Sequence, residues 1–397
     1  MRKSVFFTFL VLIVTTPAAA GCGGAVPERD EVRFATGAER VEEYLPLISE
    51  KNIAIVANQT SMIGDRHLAD TLLSLGVNLV AIFAPEHGFR EMADAGEHIK
   101  GGIDQKTGIP VISLYGSRMK PSPEEMEGID LVIFDIQDVG ARFYTYISTM
   151  HYVMEACAKA GVPLIVMDRP NPHGHYYDGP LLEPSQNSFV GMHPVPVVHG
   201  LTVGEYAMMV NGEGWLENGI RCDLTVIGMS GYSRGYRYII PVRPSPNLPN
   251  QLSIYLYPSL CFFEGTQISV GRGTPYPFQI YGSPYLPYSG FSFTPESRPG
   301  ATNPPFLGRL CHGTDLRDSE SRGIVPPDRL MLSFLIEAYN SYRGESGFFT
   351  PFFDRLAGTT RLREQIVAGK SEEEIRESWS EDLKSYGEIR ERYLIYP

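Results

Sequence analysis

The chain has 397 residues, of which 43% are hydrophobic, 20% are charged and 11% are aromatic, and its formal net charge is −12. An acidic total argues against a nucleic-acid-binding protein, because such a protein needs a basic face to displace counterions from phosphates. The length exceeds that of one ordinary compact core. The sequence therefore predicts a folded protein of about two domains that acts on a small or weakly charged partner.

The first 22 residues have the pattern of an export signal. Arg2 and Lys3 precede an apolar run over 5–14 that is too short to span a membrane as a helix. An A-x-A site that would release a freely secreted protein competes with AAGC, which resembles a lipobox ending in Cys22. Because the flexible segment 23–45 suits a tether, we expect a protein of the periplasm or cell envelope, anchored to the membrane by a lipid on Cys22.

Apolar runs and helical patterns alternate through the first half of the chain. The predicted strands are 52–61, 78–88, 109–117, 129–140, 162–172 and 222–229, and the predicted helices are 67–76, 122–128, 144–161 and 202–216. Continuous apolar strands joined by helices indicate a parallel sheet covered on both faces. The predicted fold class is therefore α/β, with a Rossmann-like domain over 46–241 that lacks the GxGxxG fingerprint of dinucleotide sites.

The composition changes after about residue 242. A region rich in Pro, Tyr and Gly extends to about residue 287, and amphipathic helices follow from residue 326 to the end. Long ordered loops of this kind often line binding sites. We expect a smaller α+β domain over 242–397.

Metal and cofactor sites are not predicted. The four cysteines after Cys22 are widely spaced and form no CxxC pair, and Cys157 and Cys261 lie in apolar helical contexts that favour buried thiols. His173, His175, His193 and His199 lie near one another in the sequence. No acid or cysteine accompanies them at a familiar ligand spacing, so neither a metal nor a cofactor is expected.

Polar residues follow five of the predicted strands at the same level. These strand ends are 58–60, 85–88, 114–117, 135–144 and 168–172. In open parallel sheets the ligand binds at the carboxyl ends of the strands. The five segments therefore predict one hydrogen-bonding surface at a single edge of the sheet.

Seven motifs in order resemble the exo-β-N-acetylmuramidases of the NamZ type, from about residue 53 to the C-terminus. They are FAPEHGFR, GIPVISLYG, IFDIQDVGARFYTYISTM, MDRPNP, HGLTVGE, PSPNLP and FFEGTQISVGRGTPYPF. The resemblance implies a bacterial glycoside hydrolase that releases N-acetylmuramic acid (MurNAc) from the non-reducing ends of peptidoglycan-derived glycans such as MurNAc-GlcNAc fragments, in cell-wall turnover and recycling. It also implies an active site in the cleft between a Rossmann-like catalytic domain and a smaller C-terminal domain.

In that family the glutamate of the PEHG motif is the proposed catalytic residue, and it corresponds to Glu86. Glycoside cleavage needs a carboxylic acid that is protonated near neutral pH, and most glycosidases pair it with a second carboxylate. The candidates for the second group are Glu264, which can face Glu86 across a cleft, Asp138, and Asp135. Asp135 falls inside an apolar run, where a structural hydrogen-bonding role is an equal alternative. Participation of the 2-acetamido group of the substrate is an alternative to a second carboxylate. The structural alternative for Glu86 is a salt bridge to Arg90 or His87.

Further polar and aromatic residues suit sugar binding. The MurNAc substrate carries a lactyl carboxylate, which calls for a cation. Arg142 and Arg272 can bind this carboxylate with two parallel hydrogen bonds, or they can form ordinary ion pairs. His87 can orient Glu86 or bind a hydroxyl group, or it can simply turn the chain. The amides that can bind sugar hydroxyls are Asn58, Gln59, Gln137, Asn171 and Asn247, and the rings that can stack on a sugar are Tyr144, Tyr276 and Phe278.

Two other function classes stay open at this stage. One is a non-catalytic envelope lipoprotein that binds cell-wall sugars through the same surface. The other is an esterase or amidase that uses Glu86 and His87 with Ser61 or Ser117, although no GxSxG elbow is present. The sequence does not predict an oligomeric state.

Overall fold

The fold is organised around a mixed seven-stranded sheet. A computed structural model describes residues 34–90 and 101–397. The strands of this sheet and of a small hairpin are β1 (Asn52–Ala57), β2 (Met62–Ile63), β3 (Arg66–His67), β4 (Asn78–Ala84), β5 (Gly102–Ile103), β6 (Pro110–Ser113), β7 (Leu131–Asp135), β8 (Leu164–Met167) and β9 (Leu224–Ile227). The order in the large sheet is β5-β6-β4-β1-β7-β8-β9, and every pair except β5 with β6 is parallel. The predicted α/β class is confirmed.

Helices cover the sheet and build the C-terminal part. They are α1 (Val41–Ile48), α2 (Leu68–Ser74), α3 (Pro123–Met126), α4 (Tyr146–Ala160), α5 (Val203–Gly212), α6 (Gln251–Leu260), α7 (Ser333–Ser341), α8 (Phe352–Ala357), α9 (Arg361–Val367), α10 (Glu372–Glu377) and α11 (Ser380–Arg390). The sequence signals act locally as expected. Ser122 and Thr202 cap α3 and α5 through capping boxes, and α4 ends at Gly161, which has a positive φ of 66°.

The C-terminal part adds a three-stranded antiparallel sheet of β10 (Ile280–Ser283), β11 (Ser292–Phe293) and β12 (Cys311–Asp315). Two hydrophobic clusters lie on the two faces of the large sheet: Ala54 and Val56 belong to one, and Ile53 and Ile55 to the other. This split follows from the alternation of side chains along a strand. The larger cluster continues to Phe353, so the N-terminal and C-terminal parts share a core. The domain boundary near residue 242 stays a prediction.

Several sequence expectations concern residues outside the described ranges. The signal segment, the lipid site at Cys22 and residues 23–33 of the predicted tether all lie there. The rest of the tether prediction is wrong, because α1 begins at Val41 and Tyr44 is buried in the core. Among the residues that are described, no helix has both the length and the apolar character needed to cross a membrane. Cys157, Cys222, Cys261 and Cys311 are buried with free thiols.

Candidate active site

A cavity of about 180 Å³ lies at the carboxyl edge of the large sheet and is lined by residues from both parts of the chain. Its walls are Glu86, His87, Tyr115, Phe143, Tyr144, Thr145, Tyr146, Phe189, Val190, Ser245, Asn247, Leu248, Tyr257, Cys261, Glu264, Arg272, Phe278, Phe352 and Leu356. Glu86 and Glu264, 178 positions apart in the sequence, therefore face one space. Both residues are carboxylates that the sequence predicts as catalytic groups.

Three of the five polar strand ends reach this cavity. Glu86 and His87 follow β4, Tyr115 follows β6, and Thr145 belongs to the segment after β7. These strands run parallel within one sheet, so their carboxyl ends lie at the same edge. The ends of β1 and β8 are at that edge too, but their predicted side chains bind the backbone of neighbouring loops instead.

A tight turn places Glu86 at the cavity. The N–H of Gly88 donates to the carbonyl of Pro85 at 3.1 Å, and His87 and Gly88 have positive φ values of 72° and 92°. A non-glycine residue in this conformation is uncommon and costs free energy unless its surroundings hold it there. His87 is 6% exposed and lines the cavity beside Glu86. Its backbone turns the chain, and its side chain belongs to the cavity wall.

Arg90 anchors the far side of this turn. Its guanidinium donates to Asp70 on α2 at 2.8 Å and to Asp104 at 2.9 and 3.0 Å. Lys106 also contacts Asp70, at 2.5 Å. The structural alternative for Glu86 is a salt bridge to Arg90 or His87. Arg90 is engaged by two aspartates, whereas His87 lies beside Glu86 in the cavity wall. The ion cluster therefore fixes the segment that carries Glu86.

Two hydroxyl groups contact the carboxylate of Glu86. Thr145 Oγ1 donates to Glu86 Oε2 at 3.1 Å. The Tyr115 hydroxyl is also hydrogen-bonded to Glu86, and burial, followed by the negative charge of Glu86, raises the pKa of Tyr115. A hydroxyl can donate to a carboxylate or accept from a carboxylic acid. This environment is therefore compatible with both protonation states of Glu86.

Glu264 has a different kind of neighbour. It lies in a short 3₁₀ segment, Cys261–Gly265, that follows α6 directly. Arg272 Nη2 donates to Glu264 Oε1 at 2.6 Å, and the Arg272 guanidinium lies 5.6 Å from the centre of the Phe278 ring. A guanidinium has only donors, so Glu264 Oε1 accepts in this charge-assisted contact. Arg272 lines the cavity, and its guanidinium is paired there with Glu264.

Asp138 and Gln137 lie outside the lining of the cavity. Asp138 Oδ2 accepts from the backbone N–H of Gly140 at 2.6 Å and lies 3.6 Å from His199 Nε2. Gln137 donates from Nε2 to the carbonyls of Asp138 and Pro170. The structure thus separates Asp138 from the other two catalytic candidates. Asp138 and Gln137 both stabilise the loop that follows β7.

The predicted amides divide in a similar way. Asn58 accepts from the N–H and hydroxyl of Thr60, and Asn171 donates to the carbonyl of Leu201. Gln59 donates to the carbonyl of Pro244 at 3.2 Å, as does the Tyr146 hydroxyl at 3.0 Å. These three amides therefore hold loops in place, because turns and loop ends need side-chain hydrogen bonds.

Among the predicted amides, Asn247 lines the cavity. Its Nδ2 donates to the carbonyl of Gly300 at 2.8 Å, and its backbone belongs to the loop that Gln59 and Tyr146 hold. Of the rings proposed for sugar stacking, Tyr144 and Phe278 line the cavity. Tyr276 lies outside that lining and stacks against the guanidinium of Arg317 at 4.3 Å.

The structure contradicts the predicted role of Arg142 in substrate binding. The sequence analysis proposed that it binds a substrate carboxylate, but its side chain is 1% exposed and lies outside the cavity lining. Its two terminal nitrogens donate to the carbonyls of four residues at 2.8 to 3.0 Å: Pro180, Val195, Leu356 and Ala357. Burial lowers the pKa of Arg142 to about 10. These contacts make Arg142 a cross-link between the N-terminal and C-terminal parts of the chain.

Comparison with known proteins shows the family. A model for the N-terminal part of the exo-β-N-acetylmuramidase NamZ matches residues 53–252, and a model for its C-terminal part matches residues 255–396. The peptidoglycan β-N-acetylmuramidase NamZ of Bacillus subtilis (strain 168) is 38% identical over 419 aligned positions, covering 100% of both chains. The chain belongs to the NamZ family. As a member of that family it is a glycosidase.

Two solved structures of DUF1343 family proteins from Bacteroides fragilis share the fold of this chain. One is 47% identical with a TM-score of 0.84, and the other is 28% identical with a TM-score of 0.76. Each alignment covers 92% of this chain and 99% of the solved chain. The similarity therefore extends over nearly the whole solved chain in both cases.

Several residues that line the cavity were not predicted from the sequence. Tyr115 lies in the predicted strand end 114–117, and Thr145 is next to the predicted Tyr144, so the strand-end rule points to both. Phe189 comes from a loop and Phe352 begins α8, both far from Glu86 in the sequence, and their apolar side chains carry no local signal. Only the folded chain brings them to the site.

The histidines considered as metal ligands bind other partners. His173 Nδ1 is hydrogen-bonded to the carbonyl of Val139 at 2.7 Å, and His175 Nε2 to that of Pro327 at 2.7 Å. His193 Nε2 lies 2.9 Å from His151 Nδ1, and its ring stacks on Trp215. Over residues 34–90 and 101–397, no group of three or more His, Cys, Asp or Glu side chains is arranged to hold a metal ion.

We predict that the buried His173 makes the folded protein less stable at acid pH. Burial lowers the pKa of His173 to about 4, whereas an unfolded histidine titrates near 6.5. Between these two values the unfolded chain binds more protons than the folded chain, so the free energy of unfolding falls as the pH falls. We expect this residue to contribute a loss of about 3 kcal/mol between pH 7 and pH 4.

The measurement is denaturant unfolding of the wild type and His173→Asn at a series of pH values. Asn keeps a donor for the Val139 carbonyl but does not titrate, so its unfolding free energy should fall less steeply below pH 6.5. Equal slopes in the two proteins would contradict the assignment to His173.

Proposed function

We propose that this protein releases N-acetylmuramic acid from the non-reducing ends of peptidoglycan glycans. The observation that carries the proposal is the cavity in which Glu86 and Glu264 face one space. The whole chain aligns with a Bacillus subtilis protein described as a peptidoglycan β-N-acetylmuramidase. Most glycoside hydrolases use a pair of carboxyl groups that flank the scissile bond.

The neighbours of the two carboxylates support a division of roles. Glu86 is hydrogen-bonded to the hydroxyl groups of Thr145 and Tyr115. A hydroxyl group can donate to a carboxylate or accept from a carboxylic acid, so both contacts suit a group that gives and takes a proton. Glu86 donates a proton to the glycosidic oxygen as the bond to the anomeric carbon breaks, and it then takes a proton from the attacking water. Glu264 stays ionised beside Arg272 and faces the positive charge that develops on the sugar. The 2-acetamido group of the substrate can share that second task.

The size of the cavity supports attack at a chain end. At about 180 Å³ it lies below the range of roughly 300–1,000 Å³ that is typical of pockets for drug-sized ligands. A small cavity takes one terminal sugar more readily than the several sugars that an endo-acting enzyme holds in a groove. Release of single MurNAc units suits a role in cell-wall turnover and recycling.

The test is product analysis with two substrates. A chromogenic aryl N-acetylmuraminide should release its aryl group, and a defined glycan with MurNAc at its non-reducing end should yield free MurNAc as its first product by mass spectrometry. Release of longer fragments first would contradict exo-action. Sugar binding without turnover of either substrate would favour a carbohydrate-binding protein.

Replacing Arg272 by Ala tests whether Arg272 acts through Glu264. The change removes the donor that lies 2.6 Å from Glu264, so kcat should fall about tenfold to a hundredfold for aryl N-acetylmuraminide and aryl N-acetylglucosaminide alike. Steady-state kinetics on both substrates measures the effect, with N-acetylglucosaminide turnover by the wild type as the reference. A rise in KM confined to the muramyl substrate would instead show that Arg272 binds the lactyl carboxylate.

We also propose that the protein acts in the cell envelope as a lipoprotein. The support is the export signal and the AAGC sequence that ends at Cys22. Metabolic labelling with a fatty acid should mark the wild type but not Cys22→Ser, and the wild type should fractionate with membranes. An unlabelled protein in the soluble envelope fraction would favour free secretion.

A further inference from the structure

Thr145 occupies the N-cap position of α4 but does not cap the helix. A threonine at this position ordinarily accepts a hydrogen bond from a backbone N–H in the first helical turn, which stabilises the helix. The Thr145 side chain makes no such bond. Its hydroxyl donates instead to Glu86 Oε2 at 3.1 Å.

Four Ser, Thr and Asn residues at the N-caps of described helices make cap bonds of the ordinary kind, whereas Thr360 at the N-cap of α9 does not. Ser122, Thr202, Asn250 and Ser371 each accept from the backbone N–H three residues ahead, at 3.0 to 3.3 Å. Thr202 is the same residue type at the same helix position, but its backbone is extended (φ −68°, ψ 166°), which is the usual conformation of a capping residue. Thr145 has a helical backbone (φ −74°, ψ 0°), as does Thr360. The Thr145 hydroxyl thus makes no bond to its own helix and is available to Glu86, whereas the side chains of the four capping residues stabilise their own helices.

The position of Thr145 explains why it can hold Glu86. Tyr144, Thr145 and Tyr146 line the cavity consecutively, at the start of the 15-residue helix α4. The main chain of Thr145 is part of that helix, since its carbonyl accepts from the N–H of Thr149 at 2.9 Å. A hydroxyl on a rigid helix end thus contacts a carboxylate on a flexible side chain.

We propose that Thr145 is a positioning residue for Glu86, and this inference rests on the proposed function. The hydrogen bond restricts the rotamers of Glu86 and keeps Oε2 at one place in the cavity. A displacement of about 1 Å in a catalytic group costs on the order of a hundredfold in rate. The Tyr115 hydroxyl, on the end of a different strand, contacts the same carboxylate and narrows its position further.

The test compares Thr145→Val, Thr145→Ser and Thr202→Val. Valine keeps the shape of threonine but has no hydroxyl, so Thr145→Val should lower kcat for the aryl N-acetylmuraminide at least about tenfold, with KM nearly unchanged. Thr145→Ser keeps the hydroxyl and should recover most of the lost rate. Because Thr145 makes no cap bond, the melting temperature of Thr145→Val should stay close to that of the wild type.

Thr202→Val is the matched control. It removes a hydroxyl that caps α5 and donates to Asp168 at 2.8 Å, so its melting temperature should fall by at least about 2 °C. Its kcat at a temperature well below melting should match that of the wild type. A loss of stability without a loss of rate in Thr145→Val, or equal rates for Thr145→Val and Thr145→Ser, would overturn the proposal.

A structural readout separates this inference from the proposed function. Crystal structures of the wild type and Thr145→Val should show the Glu86 carboxylate displaced or in more than one rotamer in the variant. If the wild type turns over no muramyl substrate, the proposed function fails, and the Glu86 position still decides the role of Thr145. An unchanged Glu86 in Thr145→Val would refute positioning, whatever the activity.

Discussion

Glu86→Gln should lower the turnover of an aryl N-acetylmuraminide about a thousandfold, because the amide cannot exchange a proton with the glycosidic oxygen or with water. Glutamine has nearly the same shape as glutamate and can still bond to the hydroxyls of Thr145 and Tyr115. The cavity and the ion pair of Glu264 with Arg272 should therefore be preserved. Steady-state kinetics measures the loss, and the melting temperature should change little.

The control for this experiment is Glu124→Gln, which removes a charge from an exposed glutamate in the first turn of α3. It should leave kcat unchanged. If Glu86→Gln retained the wild-type rate, Glu86 would have no proton-transfer role, and the catalytic assignment would have to pass to another group. A thousandfold loss with intact binding of MurNAc places the defect in the chemical step.

Arg142→Met should lower the free energy of unfolding by about 4 kcal/mol or more, or prevent folding altogether. The change removes the Arg142 donor from four buried backbone carbonyls. The Val195 carbonyl still accepts from the Leu182 N–H at 3.2 Å, and each of the other three, left unsatisfied, costs on the order of 1–3 kcal/mol. Because the carbonyls belong to both parts of the chain, the loss should affect cooperative unfolding of the whole protein. Denaturant titration followed by circular dichroism measures it.

Two further variants keep this prediction testable if Arg142→Met does not fold. Gly358→Ala places a Cβ 2.5 Å from Arg142 Nη2, at a residue with a φ of 75°, so it should destabilise the protein without touching the cavity lining. Arg322→Met removes an exposed arginine that pairs with Asp318 and should change stability little. A higher KM for muramyl substrates in Arg142→Lys, with full stability, would restore the predicted role in substrate binding.

The amino-acid sequence determined the secondary structure well, because its signals are local. Apolar runs predicted the parallel strands, and residues such as Ser122, Thr202 and Gly161 ended or began helices where expected. The strands are shorter than predicted. For example, β7 ends at Asp135, whose carboxylate is fully buried against Arg169 and is bound at 2.6 and 2.9 Å.

The candidate site was determined only in part. The PEHG motif pointed to Glu86, and FFEGT pointed to Glu264, because the resemblance and the need for two carboxylates apply to short motifs. The amides after β1 and β8 have the same polarity and the same position relative to their strands as the true cavity walls. Sequence reasoning could not separate them, because the difference lies in which backbone carbonyl each amide meets.

Tertiary structure alone decided the partners of the charged groups. Arg142 and Arg272 are the same residue type in similar Gly-flanked motifs, yet one donates to four carbonyls and the other to Glu264. Thr145 and Thr202 both stand at helix N-caps, yet only Thr202 caps its helix. A side chain's local sequence fixes which hydrogen bonds it can make, whereas packing between distant segments selects the partner that it reaches.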